Sequence, residues 1–374
     1  MPMKRLIPYF GIVTAVLFGV LTAAILGGMN VTSVHAPVTP TASSSISILP
    51  DLTLPPMTLP VLEPEMPVAT SSFQHTAPVT HAPTKTTPVY ISTSLSPSES
   101  ASLDASASAL RAALVNIICY VPAASGLRSI SGSGVIVDPK GIILTNAHIA
   151  QYFLLADRNV SCTIRSGSPA ADSYETSLIY ISPAWLQANA NVLTQANPNG
   201  TGEYDFAFLA VTKGATRNPL PNSFSFIPLA TMPPHINTPV VIASYGAQFL
   251  ESSQVQSSLF PTIVFGSVKD VFTFAVNTID VLALGGSAAA QEGSSGGGIA
   301  NSSGELVGTI TTSTVQGATD TRSLGAITAS YIRSEYASET GNPLDLLLTQ
   351  PTAVSVANFA PQIPALESIL TANL

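Results

Sequence analysis

From Leu114 onward the chain is written as short β-rich runs, each broken by Gly, Pro, Ser or Asn: 114–121, 133–138, 141–145, 160–165, 176–181, 206–212, 239–244, 262–267, 271–276, 305–312 and 324–332. Many short strands with turn punctuation and almost no helical periodicity restrict the domain to an all-β barrel or sandwich. The count suits two six-stranded barrels. Residues 101–112, alanine-rich with Leu103 and Leu110, predict a short helix leading into this domain.

Within the β-rich region, the segment Gln291-Glu292-Gly293-Ser294-Ser295-Gly296-Gly297-Gly298 lies between the apolar Val281-Leu282-Ala283-Leu284 and the strand-like Glu305 to Ile310. Many glycine-serine runs are flexible linkers, but this one is an internal loop of a folded domain. A serine between glycines permits the sharp bend and close carbonyl approach that a nucleophile needs, which singles out Ser295.

A serine hydroxyl requires a positioned base, usually an imidazole oriented by a carboxylate. Of the five histidines, His35, His75 and His81 fall in a Pro/Thr-rich stretch, and His235 follows Pro233-Pro234 in what reads as an exposed turn. His148 stands where the apolar run Gly141-Ile142-Ile143-Leu144 gives way to a short polar turn, Thr145-Asn146-Ala147-His148. Asp205 opens the apolar run Phe206-Ala207-Phe208-Leu209-Ala210-Val211, and a carboxylate beside such a run wants a buried donor partner. The other aspartates read more simply, Asp138-Pro139-Lys140-Gly141 as a hairpin turn and Asp320 in a polar loop.

Thr145-Asn146-Ala147-His148, Asp205-Phe206-Ala207-Phe208-Leu209 and Gly293-Ser294-Ser295-Gly296-Gly297, in that order, resemble the three signatures of chymotrypsin-fold, trypsin-like serine proteases. Ser131-Gly132-Ser133-Gly134 leading into Gly141–His148 is most similar to the bacterial high-temperature-requirement (Deg) branch. The resemblance covers residues 110–345 and implies a double six-stranded β-barrel with the catalytic groups between the barrels. It further implies that Ser295 attacks, that His148 accepts and returns the proton, and that Asp205 orients His148. The amides of Gly293 and Ser295 would form the oxyanion hole. Ala289, Ala290 and Gln291 on one side and Thr311, Thr312 and Ser313 on the other would wall the primary substrate pocket, with Thr311 also supporting the aspartate.

No acid stands at Ala289, so cleavage after Lys or Arg is disfavoured and a small or medium uncharged side chain is expected. Two departures stand out. Ser294 replaces the usual aspartate or asparagine, so activation by a new amino terminus pairing with that acid cannot operate. Gly298 replaces a common proline, which is expected to loosen the loop and leave room for ordering by substrate. The rival reading is a catalytically inactive protease fold serving as a surface binding module; the intact Ser295, His148 and Asp205 count against it.

Ahead of the domain, Ile7 to Met29 is a mostly apolar stretch without charge, long enough to cross a hydrocarbon core of about 30 Å. Lys4 and Arg5 precede it and the next cation is Lys85, which places the amino terminus in the cytoplasm and the rest outside. Residues 1–30 therefore read as a single-pass membrane anchor or, because Val34-His35-Ala36 suits signal peptidase, as a cleaved signal peptide of a secreted protein. The apolar run exceeds the usual signal core of about 7–15 residues, which favours the anchor. Residues 31–100 are rich in Pro, Ser and Thr and read as a disordered stalk reaching about 45 Å.

The protease domain is expected over 101–345, and 346–374 as a carboxy-terminal tail too short for the peptide-binding PDZ domain of the high-temperature-requirement type. In an exported protein Cys119 and Cys162 can pair as a disulfide, against the alternative of two separately buried thiols. A net charge of −8 without a basic cluster argues against nucleic acid as a partner. Scarce histidine, with no His-Glu-x-x-His and no paired Cys-x-x-Cys, gives no reason to expect a metal or other cofactor. The partners expected are protein or peptide substrates, and the membrane through the N-terminal helix.

Overall fold

Strand β1 (Leu114–Tyr120) pairs antiparallel on one side with β2 (Ile130–Asp138) and on the other with β4 (Ser161–Gly167). The ladder continues through β3 (Ile142–Thr145), β6 (Ala207–Gly214) and β5 (Ala170–Ile181), so that β1-β2-β3-β6-β5-β4 closes on itself. This is the six-stranded barrel that the first six sequence runs predict. Branched and aromatic side chains of its strands, among them Ile117, Val135, Ile143, Leu144, Ile164, Phe208 and Leu209, are all fully buried, divided between the interior and the covered outer face of the barrel wall. Closure leaves no unpaired sheet edge. The computed structural model describes residues 95–195, 200–216, 219–313 and 316–372. The apolar stretch Ile7–Met29 and nearly all of the Pro/Ser/Thr-rich segment lie outside them. Among the described residues no helix is long and apolar enough to cross a membrane.

The second half forms a sheet in the order β8-β7-β11-β12-β13-β10-β9, with β7 Pro239–Ser244, β8 Thr262–Ser267, β9 Asp270–Phe272, β10 Val281–Ala283, β11 Gly298–Asn301, β12 Leu306–Ser313 and β13 Leu324–Thr328. Its two outer strands are one bent stretch of chain. Between β8 and β9 stand only Val268 and Lys269, whose N–H groups donate to Thr238 O at 3.0 Å and Ala283 O at 2.8 Å. The sheet therefore curls round through a single corner; it has seven strands where the sequence shows five runs, the two additional ones being the short strands Val281–Ala283 and Gly298–Asn301.

Three sequence expectations need correction here. The run 271–276 leaves the sheet after Phe272, because Asp280 Oδ2 accepts from Thr273 Oγ1, Phe274 N–H and Thr278 Oγ1 and gathers the chain into a turn. The run 324–332 stops at Thr328, whose Oγ1 accepts from Tyr331 N–H and so caps a helix over Ala329–Thr340. The segment 346–374 is not a loose tail. Its helices Thr352–Phe359 and Ile363–Thr371 return to the first barrel, packing on β5 and β6 and on the segments 151–158 and 183–188 respectively. Leu347, Phe359, Leu366 and Leu370 are buried there.

The expected lead-in helix is longer than 101–112, running Pro97–Ala113 into the region read as stalk. Ser96 starts it with a capping box, its side chain accepting from Glu99 N–H while the Glu99 carboxylate accepts from Ser96 N–H. Leu103, Ser106, Leu110 and Ala113 form its buried stripe. The helix lies against β7 and β11 of the second sheet before the chain enters the first barrel as β1.

Candidate active site

The register of two strands brings the first pair of functional side chains together. β3 and β6 are antiparallel neighbours with Thr145 opposite Ala207. His148, three residues beyond Thr145, and Asp205, two residues before Ala207, must therefore leave the barrel at the same end. The polar turn expected at 145–148 is in fact the start of a short helix, Ala147–Ala150. This first turn aims the His148 backbone N–H at Asp205 Oδ1 across 2.9 Å, while His148 Nδ1 lies 2.7 Å from Asp205 Oδ2. Both carboxylate oxygens are thus spent on one histidine. The Asp205 side chain is 6% exposed and that of His148 29%, so the acid is shielded while the imidazole can be reached.

Behind the pair stands Asn146, fully buried, with Nδ2 donating to Asp205 O at 2.9 Å and to Thr311 Oγ1 at 3.1 Å. Thr311 thus supports the aspartate segment through Asn146 rather than by touching its carboxylate. His235 is exposed, in a turn where its N–H donates to Thr238 Oγ1. His35, His75 and His81 lie outside the described residues.

Ser295 sits in the loop between β10 and β11, and the loop is pinned to the opposite barrel. Ser133 N–H donates to Ser295 O at 2.7 Å, and Ser133 Oγ donates to Gly293 O at 2.8 Å. Thr145 Oγ1, three residues from His148, donates to Ser133 O at 2.8 Å. Gly296 can be nothing but glycine: its φ is +83°, and a Cβ there would stand 2.0 Å from Ser133 O. No hydrogen bond joins His148 to Ser295 among the described residues; the two are gathered at the same seam by Ser133 and Thr145.

The N–H groups of this loop divide by direction. Those of Ser294, Gly296 and Gly297 donate inward, to Gln291 O, Ile310 O and Ser294 O. Among the described residues, those of Gly293 and Ser295 donate to no protein group, leaving two amides two residues apart free to bind an anion. Ser294 is buried with its Oγ accepting from Ser244 Oγ at 3.0 Å, a neutral pair where the resemblance would place an acid. Gly298 does not loosen the loop. It is paired with Ala243 and Thr309 in β11, and a Cβ there would press within 3 Å of Leu306, Leu110 and Val135.

Of the expected pocket residues, Ala289 and Ala290 are fully buried, Gln291 and Thr312 half-buried, and Ser313 ends β12. Gln291 folds its side chain over Gly246 and donates from Nε2 to Ala288 O. Cys119 and Cys162 face each other across β1 and β4 and form a disulfide. Among the described residues no group of three or more His, Cys, Asp or Glu side chains is placed to hold a metal ion. Ser133, Asn146 and Ser244 were not expected as site residues; the first two lie within motifs quoted for their neighbours and the third in a plain strand, and nothing local marks a hydroxyl or amide that acts across 50 or more residues.

A closed six-stranded barrel followed by a second curled sheet is the architecture of the chymotrypsin fold. The family model for the trypsin-like peptidase domain matches residues 132–308, the span that contains His148, Asp205 and Ser295, so this part of the chain is a trypsin-like peptidase domain. Among solved structures it is similar to an inactive mutant form of Rv3671c from M. tuberculosis H37Rv, with 17% identity, 66% of this chain and 96% of that chain covered, and a TM-score of 0.40. The active form of the Rv3671c protease from M. tuberculosis gives 18% identity, coverages of 66% and 86%, and a TM-score of 0.40. No curated protein matches the sequence.

Proposed function

We propose that the chain is an extracytoplasmic serine endopeptidase that cleaves peptide bonds through Ser295, His148 and Asp205 and an acyl-enzyme intermediate. Ser295 Oγ attacks the scissile carbonyl carbon while His148 Nε2 takes its proton. The electrons displaced onto the carbonyl oxygen form an oxyanion that accepts from the N–H groups of Gly293 and Ser295. Collapse expels the amine, which leaves with the proton held on His148, and water then repeats the sequence to release the acid. Asp205 holds His148 Nδ1–H and so fixes the tautomer that leaves Nε2 free. The contact between His148 and Ser295 tightens when substrate is bound, as such bonds often do.

The observation that carries this reading is the grip of both Asp205 oxygens on His148 opposite a loop with two unengaged amides. The apolar stretch Ile7–Met29 supports a single-pass anchor with the protease domain outside the cytoplasm, and the Cys119–Cys162 disulfide suits an oxidising compartment. Small or medium uncharged residues are the preferred side chains before the cleaved bond, since Ala289 carries no acid. The test is reaction of the full-length protein with a fluorophosphonate probe. Labelling that maps to Ser295 and vanishes in Ser295→Ala and His148→Ala supports the reading; absence of labelling on a folded wild-type protein overturns it.

A further inference from the structure

The three successive peptides of the 292–295 segment are each tied down on the side away from the two free amides. Glu292 O accepts from Ala247 N–H at 2.8 Å, which turns the N–H of the same peptide, that of Gly293, the opposite way. Ser294 O accepts from Gly297 N–H at 2.9 Å, which does the same for the N–H of Ser295. The peptide between them is held at Gly293 O by Ser133 Oγ at 2.8 Å, while its N–H, that of Ser294, makes the longer bond to Gln291 O at 3.2 Å. Of the three carbonyl ties, two are backbone bonds inside the second half of the chain. The third is a side chain from the other barrel.

Ser133 is suited to that task. It is fully buried in β2, and its Oγ accepts from Tyr245 N–H at 2.8 Å. Tyr245 N–H can only donate, so the single hydroxyl proton of Ser133 is committed to Gly293 O. Gly293 has φ +90° and no Cβ to resist rotation, so its own conformational preference does little to hold the two flanking peptides in one orientation. The position most free to turn is the one gripped from outside.

We propose that Ser133 is a positioning residue for catalysis: its hydroxyl locks the Gly293 carbonyl so that the N–H groups of Gly293 and Ser295 converge on one oxyanion. The inference rests on the protease reading above and adds to it a residue that touches neither substrate nor the reacting atoms. It also accounts for how the loop is held with Ser294 in place of an acid. The lock is a neutral hydroxyl supplied by the first barrel, present without any newly formed amino terminus.

The experiment is the inactivation kinetics of the full-length protein by a fluorophosphonate, resolved into the limiting rate and the half-saturating concentration, for wild type, Ser133→Ala and Ser133→Cys. Cysteine keeps the shape of serine with a much weaker donor, and so guards against a variant that fails to fold. Removal of an oxyanion donor costs about 10²–10³ in rate, and misaligning one is expected to cost about 10–10². The expected result is a limiting rate lowered by that factor at an unchanged half-saturating concentration, with the thermal midpoint of the cysteine variant close to wild type. Wild-type kinetics in a folded Ser133→Cys protein overturn the proposal and leave the protease reading intact. So does a loss that moves rate, half-saturation and midpoint together, which is what a merely structural residue would give. No reaction of the wild type overturns the protease reading, and the proposal with it.

Discussion

Arg322 Nη1 donates to the carbonyl of Ala290 across 2.7 Å, placing a buried guanidinium behind the expected wall of the substrate pocket. The same Nη1 donates to Gln248 Oε1 at 2.7 Å, while Nε and Nη2 both donate to Gly317 O. One side chain therefore knits together the loops at 246–249, 287–291 and 316–322. The oxygens it binds belong to uncharged groups, and Phe249 lies over the guanidinium at 5.6 Å. Arg322→Ala leaves the Ala290 and Gly317 carbonyls without this donor, at about 1–3 kcal/mol for each buried group. We expect urea unfolding to show a loss of several kcal/mol, and KM for peptide substrates to rise more than kcat falls.

Asp205→Asn separates orientation from charge. The amide offers one acceptor oxygen where the carboxylate offers two, and the His148 backbone N–H and Nδ1–H both need one. An NH2 facing Nδ1 forces the tautomer that carries its proton on Nε2, where the base must be free. The expected outcome is a fall in kcat of about 10³–10⁴ with a thermal midpoint near wild type, read from steady-state hydrolysis and calorimetry.

The Cys119–Cys162 bridge closes a loop with a sequence separation of 43 across neighbouring strands. On the chain-entropy account a loop of this length is worth about 4 kcal/mol. Replacing both cysteines with alanine is expected to lower the unfolding free energy by up to that amount, and a reducing agent to shift wild type in the same direction without affecting the double variant.

Glu335, in the helix Ala329–Thr340, has its carboxyl pushed above the ordinary carboxylate range, first by burial and then by the neighbouring Glu339, Asp280 and Glu203. A raised acid binds its proton more tightly in the folded state than in the unfolded one. Stability is therefore greatest below the unfolded value and declines as pH rises through the folded one. Glu335→Gln should raise the thermal midpoint at neutral pH and give no advantage below about pH 4, where both states are protonated. A midpoint difference that is constant with pH would contradict this.

Leu370 is fully buried although it lies four residues from the end of the sequence. Leu370→Ala is expected to cost about 2–5 kcal/mol, the range for a large core side chain cut to a methyl. An unchanged unfolding curve would show that the helix Ile363–Thr371 does not contribute to the core.

Strand positions in the first barrel were legible because each run is apolar, β-branched and bounded by a turn residue, which is a local signal. The histidine, aspartate and serine were legible for a different reason: with 9% charged residues and five histidines, few groups compete for each role. The ends of runs were misread where a single side chain intervenes, as Asp280 does at 273–278 and Thr328 at the start of its helix. The carboxy-terminal helices were missed because they are short and separated by prolines, and their apolar faces have meaning only against β5, β6 and the segments 151–158 and 183–188.

By itself the sequence determined a β-barrel trypsin-like peptidase domain and its candidate nucleophile, base and acid, and left open whether Cys119 and Cys162 pair. Tertiary structure alone decided what holds them. The register of β3 with β6 turned a separation of 57 residues between His148 and Asp205 into a 2.7 Å contact, and barrel packing brought Ser133 within 2.8 Å of Gly293, 160 residues away. Such partners leave no trace in local pattern, because a hydrogen bond depends on where two groups meet in space, while propensity and periodicity report only on neighbours along the chain.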